Sequence, residues 1–361
     1  MIYFDNAATS PMCGSAKEIM QQDFGNPSSP HSYGLEAERA IKKAGKYIAS
    51  VLSCKSEELI FTSGATESNN IGILGAAFSL KSSLGHNRKL HILSARQEHP
   101  SIVEPLLYLA SMPGFSVTFA APSEWEALVN EDTAMICISQ VNSETGDIFT
   151  HFPLPANIIV FIDGAQAFCK ISVPDRADIY TFSAHKFHGP MGVGGLMIRK
   201  GLRLQPLMYG GGQQGKIRPG TENVPGILAM ASAVKEMHSA GCSKAERIKD
   251  ILCKLAEEVP DTFINQTSKQ ASPFILNLSF CGVRGETLTN LLSSRGLYVS
   301  MGTACRTSKK ESALESMGFS KERAESAIRL SFSHMNTEEE AYRAKDIIKK
   351  SLAEIKNRRN K

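Results

Sequence analysis

Seven short apolar runs between residues 58 and 198 leave few folds open to this chain. Glu58–Thr62, Leu90–Ser94, Ser116–Ala120, Ala134–Ser139, Ile158–Ile162, Asp178–Phe182 and Val193–Ile198 each have the length of a buried strand. Helical patterns or loops separate them. Leu35 to Leu52 carries Glu36, Glu38, Arg39, Lys42 and Lys43 on its outer face, and a second helix is expected from Ala65 to about Leu80. Strands that alternate with helices predict an α/β fold whose mostly parallel sheet is covered on both faces. Residues 15–240 are expected to form this large domain. Residues 1–14 and 241–361 are expected to form a smaller α/β domain, with helices near 243–258, 286–295 and 337–358 and strands at 274–280 and 327–331. A chain of 361 residues, 42% of them hydrophobic, can bury a core in each.

Charge and cysteine usage narrow the function classes. Lysine and arginine number 40 against 36 acidic residues, and a dispersed net charge of +4 argues for neither nucleic acid nor a membrane surface as partner. The eight cysteines form no C-x-x-C pair, which suggests a reducing compartment, and no metal site is read from them. The start, Met1-Ile2-Tyr3-Phe4-Asp5-Asn6, has no basic segment followed by an apolar one, and no later stretch has the apolar length of a membrane span. A soluble, cytoplasmic protein that works on small molecules and other proteins is expected. The basic end, residues 356–361, reads as a solvated, frayed tail.

The chemistry is concentrated at strand ends, where α/β sheets collect ligands. The Asp178–Phe182 run leads into Ser183-Ala184-His185-Lys186-Phe187-His188-Gly189-Pro190. A partly desolvated lysine there can act as nucleophile and base and can bond covalently to a carbonyl compound. One crossover upstream, the Ile158–Ile162 run ends in Asp163, an acid placed to hold a pyridinium proton. Either residue alone would be an ordinary loop or turn residue; the pair after two strands points to pyridoxal phosphate (PLP). Ser63-Gly64 followed by Ala65-Thr66-Glu67-Ser68 is a strand, glycine turn and helix start, a combination that offers N–H groups and a dipole to a phosphate. The competing reading is a simple helix cap.

Ser-x-His-Lys, Asp163-Gly164-Ala165-Gln166 and the Gly-Ala-Thr-Glu-Ser block together resemble the NifS/IscS-type cysteine desulfurases of the class V aminotransferases, and the match runs in order through nearly the whole chain. The resemblance implies a PLP-dependent transferase fold and conversion of L-cysteine to L-alanine, with sulfur passed as a persulfide on Cys305 to an acceptor. It implies catalytic roles for Lys186, Cys305 and His99, with His99 over the cofactor ring. Ala65, Thr66, Ser183 and His185 would hold the phosphate, Asp163 the ring nitrogen, and Gln166 and Asn142 the phenolic oxygen. Asn142 and Arg329 would meet the substrate carboxylate. The loop Gly210 to Thr221 would reach the neighbouring subunit, Thr221 touching that subunit's phosphate, so a homodimer with shared active sites is implied.

Two departures from the family pattern stand out. Arg306-Thr307-Ser308-Lys309-Lys310-Glu311 follows Cys305 where small residues are usual, and the connections 121–133 and 147–157 are short. The sulfur acceptor, whether for iron–sulfur clusters, thio-cofactors or tRNA, is therefore left open. The alternatives are a PLP-dependent cystine or cysteine β-lyase, a selenocysteine lyase, or a non-catalytic sulfur-scaffold or nucleotide-binding protein.

Overall fold

The computed structural model describes residues 1–83, 88–150, 154–301 and 312–359. They divide into two units: Pro11–Gln140 with Phe149–Ser239, and Met1–Ser10 with Val141–Ile148 and Ala240–Lys361.

The larger unit is built on seven strands: β1 (Leu59–Thr62), β2 (Leu90–Ser94), β3 (Phe115–Phe119), β4 (Thr133–Ser139), β5 (Ile159–Asp163), β6 (Ile179–Ser183) and β7 (Gly194–Ile198). Their order across the sheet is β1-β7-β6-β5-β4-β2-β3. The strands from β6 through β5, β4 and β2 to β3 pair in parallel, while β7 runs antiparallel to both β6 and β1. The connection from β6 to β7 is too short to hold a crossover helix, so the chain can only turn back on itself there. The seven expected strands are present, each within a residue or so of the expected bounds.

Helices α1 (Ser32–Val51), α2 (Ala65–Ser83) and α3 (Pro100–Ala110) belong to this unit. The outer charges of α1 leave Ala37, Ile41, Ala44 and Ile48 on its buried face. Residues of α2, including Ile71, Ile73 and Ala76, share a core with Ile92, Met135 and Phe161 of the sheet. Gly72 permits this close approach, because a Cβ there would come within 2.8 Å of the Phe161 ring. Among the aromatics next to Lys186, Phe168 stacks on Phe182 with centroids 4.2 Å apart and meets Phe187 edge-on at 5.3 Å, which anchors the residue following Lys186.

The smaller unit has an antiparallel sheet in the order Ser300–Met301, Ala327–Ser331, Ile275–Phe280, Thr262–Ile264. Helices Ser243–Cys253, Gly285–Ser294 and Glu338–Arg359 cover it, with Ile248, Leu288, Ile328 and Ile348 in one core. The last helix carries residues 356–359, where a frayed tail is expected; Ile355 and Leu352 are buried in that core and hold its final turns in place. Residues 141–148 join this unit through the Asp147 carboxylate, which accepts from the Thr267 and Ser268 backbone N–H groups at 3.0 and 3.1 Å. No helix among the described residues is long and apolar enough to cross a membrane.

Candidate active site

In the larger unit the carboxyl ends of the parallel strands gather the polar side chains. Asp163 ends β5 opposite Ser139 of β4 and Thr181 of β6, and Ser183 ends β6 opposite Gly194. Asp163 is 5% exposed. Its Oδ2 accepts from Asn69 Nδ2 at 2.8 Å and its Oδ1 from the Ala165 N–H at 2.8 Å. Gln166 and Ser183 are buried, and Lys186 and His185 are partly exposed in the turn after β6. Burial, with the Lys186 and Lys170 charges adding, pushes the His185 imidazole down to about 4. Burial and the Lys186 charge also push the Lys170 ammonium down to about 7, with Cys169 opposing. His185, Lys186 and Lys170 thus lie close enough for their charges to interact.

Across the sheet edge, Gly64 has φ +152° and opens α2 at Ala65. A Cβ on Gly64 would lie 3.3 Å from Ser183 Oγ, so glycine keeps the helix start and Ser183 clear of each other. Thr66 is exposed beside them. Glu67 accepts from the Ser63 N–H and, at 3.0 Å, from Arg218 Nε of the glycine-rich loop. Burial would raise this carboxyl, but those hydrogen bonds and the Arg218 charge hold it below its ordinary value. The loop is also held by Gln214, whose Oε1 accepts from the Phe61 N–H at 2.9 Å, and Thr221 is exposed.

His99 caps α3, its Nδ1 accepting from the Ser101 N–H at 3.1 Å. The ring lines a cavity of about 460 Å³ with Thr66, Asn70, Glu104 and Tyr108. The preceding Glu98 reaches the end of β4, accepting from the Ser139 N–H at 3.0 Å and from the Ser139 hydroxyl. Burial pushes the Glu98 carboxyl up to about 7; the Ser139 bonds oppose the shift and the Asp163 charge adds to it. Neither Glu98 nor the Asn69–Ser101 pair is singled out by the sequence. The only signal for Glu98 is its place beside His99.

The smaller unit holds Arg329 and Asn142. Arg329 is 7% exposed in the middle of its strand. Its Nη1 donates to the Ser143 carbonyl and Glu144 Oε1, both at 3.0 Å, and its Nη2 to Asp5 Oδ1 at 3.1 Å. Burial raises the Glu144 carboxyl and Arg329 lowers it, with Asp5 adding to the rise. Two carboxylates thus hold the guanidinium in a fixed orientation, a pairing without a sequence signal because the partners lie 324 and 185 residues away. Asn142 Oδ1 accepts from the Glu144 and Thr145 N–H groups at 2.9 and 3.0 Å, making a local turn and leaving its amide nitrogen as a donor to offer. Cys305 lies outside the described residues.

The family description "Aminotransferase class-V" matches residues 2–343. The chain is 33% identical to a cysteine desulfurase IscS of Dictyoglomus turgidum, over 98% of this chain and 95% of that protein. It superimposes on a solved NifS-like protein with a TM-score of 0.85 at 34% identity, covering 98% of this chain and 99% of that one. A structure of SspA in complex with cysteine gives a TM-score of 0.79 at 29% identity, covering 92% of this chain and 99% of that one.

Proposed function

The chain belongs to the class V aminotransferase family, in its NifS/IscS-type branch, and from that premise we infer that it is a PLP-dependent cysteine desulfurase. The observation that carries the reading is Asp163 and Lys186 following neighbouring parallel strands of one sheet, beside the Gly64 helix start. These residues fit the cofactor. The glycine keeps open the space between Ser183 and the N–H groups of Ala65 and Thr66, which suits a phosphate. The buried Asp163, its two oxygens oriented by Asn69 and Ala165, suits a protonated ring nitrogen. When bound, PLP supplies an electron sink for the carbon bearing the substrate's amino group.

The remaining roles belong to the protein. Lys186 would bond the cofactor and move the proton at the substrate Cα, and His99 would cover the ring face. Gln166 and the Asn142 amide would donate to the phenolic oxygen, and His185 would assist Ser183 at the phosphate. Arg329 offers its guanidinium to the substrate carboxylate, in competition with Asp5 and Glu144. The Cys305 thiolate attacks the sulfur of L-cysteine and an S–S bond forms as the C–S bond breaks. The carbon keeps the electron pair, takes a proton and leaves as alanine. That cysteine appears in the name of one structural neighbour supports it as substrate.

The same reading includes a homodimer in which Thr221 reaches the partner's phosphate, a sulfur-acceptor protein for iron–sulfur cluster or thio-cofactor supply, and a cytoplasmic setting. The test is to incubate the protein with PLP and cysteine while alanine, bound persulfide and the visible spectrum of lysine-bound cofactor are followed. Lys186→Ala is expected to lose the spectrum and both products; Cys305→Ala is expected to keep the spectrum and form no persulfide. Sulfide release from Cys305→Ala at the wild-type rate would replace the desulfurase with a β-lyase.

A further inference from the structure

Four side chains of the larger unit form one hydrogen-bonded line. Asn69 Nδ2 lies 2.8 Å from Asp163 Oδ2 and 2.8 Å from Ser101 Oγ, and Ser101 Oγ lies 2.7 Å from His99 Nδ1. Asn69, Ser101 and Asp163 are all at most 7% exposed. The direction of each bond follows from donor chemistry. An ionised carboxylate only accepts, so the Asn69 amide must turn its nitrogen toward Asp163, and Thr181 Oγ1 donates to the amide oxygen at 2.6 Å. That nitrogen also donates to Ser101 Oγ, whose own hydrogen is then directed to His99 Nδ1. The Ser101 N–H meets the same ring nitrogen at 3.1 Å. With two donors facing it, Nδ1 presents its lone pair and the ring proton resides on Nε2.

We propose that Asn69 and Ser101 are positioning residues that hold His99 as the neutral, Nε2-protonated tautomer through a donor line anchored on Asp163. The proposal rests on the reading of Asp163 and His99 as the groups at the cofactor's ring nitrogen and ring face. Protonating Nδ1 would set a donor against two donors, so the imidazolium is disfavoured. Partial desolvation and the Lys186 charge act in the same sense, and Asp163 opposes them. Among the described residues, the charged and titratable groups around the ring are Asp163 at the end of β5, Lys186 after β6, Glu98 beside it in the chain, and Glu104 and Tyr108 of the same cavity. One ring edge is thereby kept as an acceptor turned inward, and the Nε2–H is the proton available to a reacting group.

The test is nitrogen-15 NMR of histidine-labelled protein, with and without PLP, the His99 signals being assigned by their loss in His99→Gln. The wild type is expected to show an unprotonated Nδ1 and a protonated Nε2 at neutral pH. Ser101→Ala removes one of the two donors; a mixture of tautomers and a rise of about half a pH unit or more in the ring titration are expected. Asn69→Asp would accept from Ser101 rather than donate, turn the hydroxyl away from His99 and reproduce that shift. Ser101→Thr keeps the hydroxyl and is expected to keep the wild-type tautomer; with Asn69→Asp it carries the test if Ser101→Ala does not fold. An unchanged tautomer and titration in folded Ser101→Ala or Asn69→Asp overturn the proposal. Protein without PLP reports the tautomer by itself, so a chain that fails to desulfurate cysteine overturns the functional reading while leaving this one standing.

Discussion

At the scale of single residues, the site sets partly buried ionisable groups against the cost of desolvation. Glu98 is the clearest case. Its carboxyl is pushed up to about 7 from an ordinary 4.5, mainly by burial. A folded-state value above the unfolded one means that the stability tied to the protonated form is complete below about pH 4.5 and is lost as pH rises to about 7. The loss amounts to at most about 3 kcal/mol. Glu98→Gln stays neutral and can still accept from Ser139. We therefore expect its melting temperature to match the wild type at pH 4.5 and to exceed it at pH 8. Parallel melting curves for the two proteins across that range would falsify the assignment. Arg329 shows the opposite arrangement, in which a buried cation is retained because Asp5 and Glu144 pair with it.

At the scale of elements, the position of α2 sets where its first turn lies for the proposed phosphate site. The helix lies close to the sheet because Gly72 has no Cβ. At an exposed helix position, glycine to alanine would stabilise by about 1 kcal/mol. Here the added carbon would meet Phe161 at 2.8 Å and Ile179 at 3.1 Å, both fully buried and unable to move aside. Overpacking of this kind costs about 1–3 kcal/mol, so the clash outweighs the propensity gain. Gly72→Ala should lower stability in urea titration by about 1 kcal/mol and weaken PLP binding, since the helix start at Ala65 and Thr66 shifts with the helix. A more stable variant with unchanged cofactor affinity would show that α2 tolerates the methyl group.

At the scale of the whole molecule, the proposed sharing of active sites between subunits gives a test by mixing. Thr221 is exposed, and Arg218 of the same loop is paired with Glu67 of its own chain. If Thr221 serves the partner's phosphate, a mixed dimer of Lys186→Ala and Thr221→Ala subunits contains one doubly impaired site and one intact site. Co-expression should then restore about a quarter of wild-type activity per site, whereas each variant alone stays low. Activity no higher than the average of the two separate variants would place Thr221 at its own subunit's site. Local features were legible in the residues alone: seven apolar runs became seven strands, and Lys186 and Asp163 follow or end two of them, because strand length and chain connectivity are properties of neighbouring residues. Tertiary structure alone decided the rest. The passage of residues 141–148 into the smaller unit, the carboxylates around Arg329 and the Asn69–Ser101 line all depend on groups far apart in sequence; Asn69 and Asp163 are 94 residues apart. Serine and asparagine are common in turns and caps, so their spacing along the chain carries no sign of such a partner. It becomes visible only when pairing of the strands sets their ends side by side.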